Sequence, residues 1–263
     1  MTSTVDRLYR EVGDQFDWDG WDGNVACTPQ WLGAHRRTGR GLLAVRGAGG
    51  LLAVLERKAP GALGPVGRYH GGFAPLPGAG AEDVLDALAV VARYSWVGLP
   101  HSPHWLHTHA GRLHPRRVVS REHDHVFTVG ALGVDQYDVS RPRKLRATIR
   151  RAQAAADASD QTVRPLAPGG LTAVLDRLVA VERAGHRTKG HVLASRAVSD
   201  ALVDLDADGR LVVHVLQRGV EPLGYLVAGR GATQDHLYTT AIRAELADSS
   251  AGFHTMSGSA YVS

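Results

Sequence analysis

Two groups of side chains in this chain have the types and spacing that chemistry needs. The first is cationic: Arg141, Arg143, Lys144, Arg146, Arg150 and Arg151 put six positive charges within eleven residues. At helical spacing Arg143, Arg146 and Arg150 share one face, with Lys144 and Arg151 on a neighbouring one. Cations at a helix start oppose the macrodipole, at a cost of roughly 0.3 kcal/mol or more each. The run reads either as a solvated face or as a surface for a phosphate-bearing partner. The second group lies near Asp235-His236-Leu237-Tyr238-Thr239-Thr240, which reads as a strand. Alternation puts Asp235, Leu237 and Thr239 on one face and His236, Tyr238 and Thr240 on the other. His236 and Tyr238 can therefore act together, and Asp235 does not join them. His214 and Asp235 are further proton acceptors, and Tyr225 is a further donor.

Other reactive residue types carry less. His101, His104, His107 and His109, with His114, His123 and His125, invite a zinc reading. A structural zinc site usually recruits cysteine, and no His-Glu-x-x-His pattern is present, so no metal is expected. The lone Cys27 beside Thr28-Pro29 fits a small buried residue better than a nucleophile. No Gly-x-Ser-x-Gly elbow, Ser-His-Asp order or phosphate-binding Walker loop appears.

Composition bounds the function classes. The 263 residues suit one large domain or two lobes, and 44% apolar with 21% charged residues is ordinary for a folded globular chain. A net charge of +4 leans towards anionic partners without identifying them, since that depends on where the charge lies. One cysteine allows no intrachain disulfide and fits a reducing cytoplasm. The N-terminus has no apolar signal core, and no run of about 18 apolar residues is present, so no membrane span is expected.

The elements that must position these groups follow from turns and periodicity. Residues 1–24, acidic around Trp18 and Trp21, read as a docking arm or loop. Thr28 caps a short helix from Pro29 to His35. Residues 41–46 and 51–57 flank Gly47-Ala48-Gly49-Gly50 as a hairpin. Residues 60–80 read as loop, 81–94 as helix, 95–99 as strand, 103–110 as a short helix and 125–129 as strand. A helix over 141–157 and a strand over 161–166 follow. Helices are expected over Leu171–Ala184 and Val192–Leu205, then a second hairpin over 211–217 and 221–228, then a strand over 235–240. The two hairpins read as a weak internal duplication. The second repeat is short of its final strands. Either the chain is truncated, or another chain or the first repeat closes that sheet, and an open sheet side invites a homodimer.

This order resembles the FemABX-like transferases over roughly residues 25–250. Gln30-Trp31-Leu32 is similar to that family's early helix, and Arg68 to Phe73 to its Gly-rich loop. His125–Val129 with Arg141–Ala152 is similar to its strand-to-basic-helix join. Glu182 to Gly190 resembles the polar segment ending the next helix, and Leu211 to Ala228, with Pro222-Leu223-Gly224-Tyr225, its hairpin. The resemblance implies an α/β fold of two GNAT-like lobes, with mixed central sheets flanked by helices. Residues 1–24 would form an arm, 25–134 the first lobe and 135–263 the second.

The implied activity is amide formation by acyl transfer. An amino acid moves from aminoacyl-tRNA to an amine of a small molecule or peptide, of antibiotic or cell-wall type, in the cleft between lobes. Such transfer needs a deprotonated amine, a stabilised oxyanion and aligned reactants. Tyr225 and Tyr238 can donate to the leaving ribose oxygen, and Arg187 and Lys189 can bind an anionic acceptor or the donor's terminal phosphate; Tyr69 and His70 are assigned to substrate and the six cations to tRNA. No resident cofactor is implied. An acyl-CoA-dependent N-acetyltransferase is the close competitor. A GNAT lobe holds the CoA pyrophosphate on backbone N–H groups in an Arg/Gln-x-x-Gly-x-Gly/Ala turn. That turn belongs near residues 241–252, where the sequence has no Gly-x-Gly and carries Glu245 and Asp248. A non-catalytic binding or dimerisation module is the third reading.

Overall fold

A computed structural model describes residues 4–21, 23–35, 41–47, 50–64, 66, 96–97, 143–185, 191–232 and 235–246. The expected elements over 81–94, 103–110 and 125–129 lie outside them. The chain divides into two compact units.

The first unit opens with helix α1 (Thr4–Gln15), where an arm or loop was expected. The acidic composition of this segment conceals an apolar stripe four residues apart: Leu8, Val12 and Phe16 are all buried. Phe16, Trp18 and Trp21 continue that stripe as an edge-to-face cluster, with ring centroids 4.5 Å and 5.3 Å apart along the series. Helix α2 (Pro29–His35) starts as its sequence predicts, with the Trp31 N–H donating to Thr28 Oγ1 at 3.2 Å. The buried Trp31 indole donates to the Val66 carbonyl at 2.8 Å. Gly33 lets α2 approach α1, because a Cβ there would lie 2.6 Å from the Tyr9 ring.

Strands β1 (Leu42–Gly47) and β2 (Gly50–Ala59) form the expected hairpin, antiparallel, with a bulge at Val45/Arg46. Leu51, Ala53 and Leu55 are buried at alternate positions of β2, as one core face requires. A short β3 (Ala62–Gly64) stands where loop was expected. Pro60-Gly61 makes a tight turn, with Gly61 at φ +74°, and Leu63 is apolar enough to continue the sheet. β4 (Trp96–Val97), inside the expected strand, pairs parallel to β3 and completes the order β1-β2-β3-β4.

The second unit is built on α3 (Arg143–Ala158), β5 (Gln161–Pro165), α4 (Leu171–Ala184), α5 (Arg196–Ala207), β6 (Leu211–Arg218), β7 (Glu221–Arg230) and β8 (Asp235–Ile242), of which Asp200–Leu202 and Asp235–His236 group with the first unit. Its sheet has the order β5-β6-β7-β8, with β5/β6 and β6/β7 antiparallel. Residues 222–229 of β7 are all buried, as expected of a strand covered on both faces. Leu216 and Leu223 pack with Val163, Ile242 and Leu246 on one side of this sheet. Two sheets flanked by helices make the expected α/β class. No described helix is long and apolar enough to cross a membrane.

Helix α5 begins four residues later than its periodicity predicts. The N–H groups of Val192, Leu193 and Ala194 turn to the carboxylate of Glu182 instead of opening a helix. The N-terminus of α4 is capped from a distance, with the Leu171 N–H donating to buried Asp206 Oδ2 at 2.8 Å.

Candidate functional site

The densest buried polar cluster among the described residues lies in the second unit around Glu182. α4 buries Leu171, Leu178 and Val181 on one stripe, and Glu182 ends that stripe as a carboxylate that is 6% exposed. Oε1 accepts from the Tyr225 hydroxyl at 2.5 Å and the Val192 N–H at 3.0 Å. Oε2 accepts from the N–H groups of Leu193 at 2.9 Å and Ala194 at 3.3 Å. Three amides and a phenol thus solvate a carboxylate in the interior, where an unsolvated one would be very costly.

Tyr225 comes from the middle of β7 and is fully buried. Burial raises its pKa far above the usual phenol range, and the hydrogen bond to Glu182 raises it further. Thr239 makes a side-chain hydrogen bond to Tyr225, and Thr240 Oγ1 donates to the Tyr225 carbonyl at 2.8 Å. Tyr238 is buried as well; burial raises its pKa strongly, and the Glu182 charge adds to the rise. Both phenols therefore keep their protons at any physiological pH and act only as neutral hydrogen-bonding groups.

The other expected residues are spread more widely. Asp235 is exposed and His236 half-buried at the start of β8. The expected alternation runs as far as exposed Leu237, then Tyr238 and Thr239 are both buried, so β8 is covered on both faces there. Thr239, expected on the face opposite Tyr238, reaches the same Tyr225–Glu182 pair that Tyr238 acts on electrostatically. His214 is buried in β6, opposite Leu226. Its Nδ1 has no hydrogen-bond partner among the described residues, and burial lowers its pKa. Tyr69, His70, Arg141, Arg187 and Lys189 lie outside the described residues.

On α3, Arg143, Lys144, Arg150 and Arg151 are exposed and Arg146 is half-buried. At about 100° per residue, the four exposed cations occupy one arc of about 120°, with Arg146 at its margin. Of the three cations expected to share one face, Arg143 and Arg150 are exposed and Arg146 is half-buried. Arg151 folds back to donate to the Ala147 carbonyl at 3.3 Å.

Glu182 and Thr239 are the residues that sequence reasoning did not single out. A carboxylate on the apolar stripe of α4 was the readable signal for Glu182. Among the described residues no group of three or more His, Cys, Asp or Glu side chains converges as metal ligands. The histidine run at 101–125 lies outside those residues.

The end of β8 is where a GNAT lobe would hold a CoA pyrophosphate; the residues described there, 241–246, do not fit that group, and 247–252 lie outside the described residues. Ala244–Leu246 form a single 3-10 turn. Leu246 packs on Leu216 and Leu223, and its N–H donates within the turn to the Arg243 carbonyl. Arg243 Nη1 is engaged by Glu221 at 2.7 Å and by Glu245 at 3.7 Å.

Residues 143–258 match the family model of the acetyltransferase (GNAT) domain, Acetyltransf_6. Two solved structures have a similar fold. One is the C-terminal domain (DUF2156) of a protein from Agrobacterium fabrum named as a lysylphosphatidylglycerol synthetase, at 13% identity and TM-score 0.52, covering 96% of this chain and 72% of that one. The other is a conserved protein of unknown function from Bacteroides thetaiotaomicron, at 13% identity and TM-score 0.54, covering 100% of this chain and 87% of that one. At that identity the likeness carries the fold alone. No curated protein matches the sequence. Residues 143–258 are thus similar to a GNAT acetyltransferase domain, and the two sheets flanked by helices are consistent with a GNAT-like fold.

Proposed function

We propose that this acyltransferase domain moves an amino acid from aminoacyl-tRNA to an amine of a small molecule or peptide, as in FemABX-like enzymes. The observation that carries the reading is the arc of four exposed cations on α3. Concentrated positive charge on one helix face suits a polyanionic donor, and it stands within the residues that match the acyltransferase model. The word lysyl in the name of the Agrobacterium fabrum protein accords with an aminoacyl group as cargo. In this reading the ester of the charged tRNA breaks, the amine nitrogen forms the new amide, and the ribose oxygen leaves with a proton. His236, partly open to solvent on β8, takes the proton from the amine. The expected homodimer belongs to the same reading, as an arrangement to be measured by oligomeric state.

The test is the salt dependence of tRNA binding. Each phosphate contact contributes about 0.7 to 0.9 to the slope of log K against log salt. Replacing Arg143, Lys144 and Arg150 with alanine is expected to reduce the slope by about 2 to 3 and to weaken binding. A slope near zero in the unmodified chain, or one the triple variant leaves unchanged, removes the reading.

A further inference from the structure

We infer that the acyl donor of this domain is not carried on coenzyme A, because the corner after β8 is closed at its edges, in its turn and in its charge. The inference concerns what this corner excludes and stands whether or not the donor is a tRNA.

The edges come first. A ligand arm that runs beside a strand needs free backbone N–H and C=O groups. At Arg243 the N–H donates to the Leu223 carbonyl of β7 at 3.0 Å. With that edge spent on β7, the antiparallel bridge between Arg243 and Gly185 takes up the other. Gly185 eases this approach, since a Cβ there would sit tightly against the Glu182 carbonyl at 3.1 Å and the Ile242 carbonyl at 3.2 Å. The end of α4 therefore lies against the end of β8.

The turn comes second. An anion-binding turn presents consecutive N–H groups outward, with small residues that let a phosphate approach. Here the Leu246 N–H is used internally, donating to the Arg243 carbonyl at 3.0 Å. The Leu246 side chain packs among Leu216, Leu223, Val163 and Ile242. Turning the Leu246 N–H outward would expose that apolar contact to water.

Charge comes third. Arg243 is the cation at the end of β8, and it is shared between the exposed carboxylates of Glu221 and Glu245. Two carboxylates and one guanidinium leave this group net negative, which repels a pyrophosphate. Leu246, Glu221 and Glu245 are thus specificity-determining residues that keep CoA donors out.

The experiment uses the full chain, with acetyl-CoA and inorganic pyrophosphate titrated separately to about 2 mM while thermal unfolding is followed. The expected result is no saturable stabilisation by either. Saturable stabilisation by acetyl-CoA overturns the inference, and saturable stabilisation by pyrophosphate overturns the closed corner on which it rests. Binding of tRNA is measured in parallel as a separate readout. Failure of tRNA to bind while acetyl-CoA is inert removes the donor proposed above and leaves this inference in place. Acetyl-CoA binding removes this inference whatever tRNA does.

Discussion

Replacing Glu182 with glutamine tests how the second unit is held together. The carboxylate receives four hydrogen bonds, two on each oxygen. Glutamine keeps one acceptor oxygen, which is best placed at the Oε2 position to hold Leu193 and Ala194. Its NH2 then faces the Tyr225 hydroxyl, which can rotate to accept, and the Val192 N–H, which cannot. One buried donor loses its partner, and the remaining bonds lose the assistance of a full charge. A hydrogen bond to a charged group contributes about 1.5–3 kcal/mol, and a stranded buried donor costs about 1–3 kcal/mol. The expected destabilisation is about 2–4 kcal/mol, read from the urea midpoint with the slope unchanged. That corresponds to about 4–15 °C in thermal midpoint. Tyr225→Phe removes the phenol side of the same contact. A double-mutant cycle with Glu182→Gln should then give a coupling of at least about 1 kcal/mol. A Glu182→Gln loss below about 0.5 kcal/mol, or additive single effects, would refute the claim that this carboxylate ties α4, the 192–194 turn and β7 together.

Three further outcomes are expected. Burial depresses the folded pKa of His214 below its ordinary value of 6.5, so the unfolded chain binds the extra proton first. The stability His214 permits is therefore complete above that pH and is lost as pH falls below it; His214→Leu should flatten this part of a urea-midpoint profile against pH. In the first unit, Arg46 donates to both oxygens of Glu11, and this hydrogen bonding holds the Glu11 carboxyl below the usual carboxylate range. That pairing contributes stability above the unfolded carboxylate pKa and loses it as pH falls through the folded one. Because the pair is solvent-facing, Glu11→Gln should cost less than about 1 kcal/mol by denaturant titration at neutral pH. Leu246→Ala should destabilise the second unit by about 1–2 kcal/mol through loss of its partly buried contact with Leu216 and Leu223, measured by urea titration.

Periodicity and punctuation made the frame legible in advance. Thr28-Pro29 marked the start of α2, Gly219 marked the turn between β6 and β7, and apolar runs on either side of a glycine-containing turn marked both hairpins. The same evidence misread residues 4–15, because only Leu8 and Val12 of that polar segment carry the buried face that sets the helix. It also extended α5 backwards over 192–195, where apolar Val192 and Leu193 fit a helical pattern but their amides serve Glu182. The candidate site was harder to read because it depends on contacts distant in sequence. Tyr225 and Glu182 lie on different elements, and the apolar stripe that carries Glu182 inward does not say which partners it meets. Strand alternation at 235–240 held only until Tyr238, beyond which both faces of β8 are covered.

The central claim is tested most directly by offering the full chain a pool of tRNA charged with labelled amino acids, together with amine acceptors, and following the label. The account predicts chain-dependent loss of charged tRNA that saturates with tRNA concentration and deposits the label in an amide product. Charged tRNA that stays intact while labelled acetyl-CoA is consumed with the same amines would contradict it.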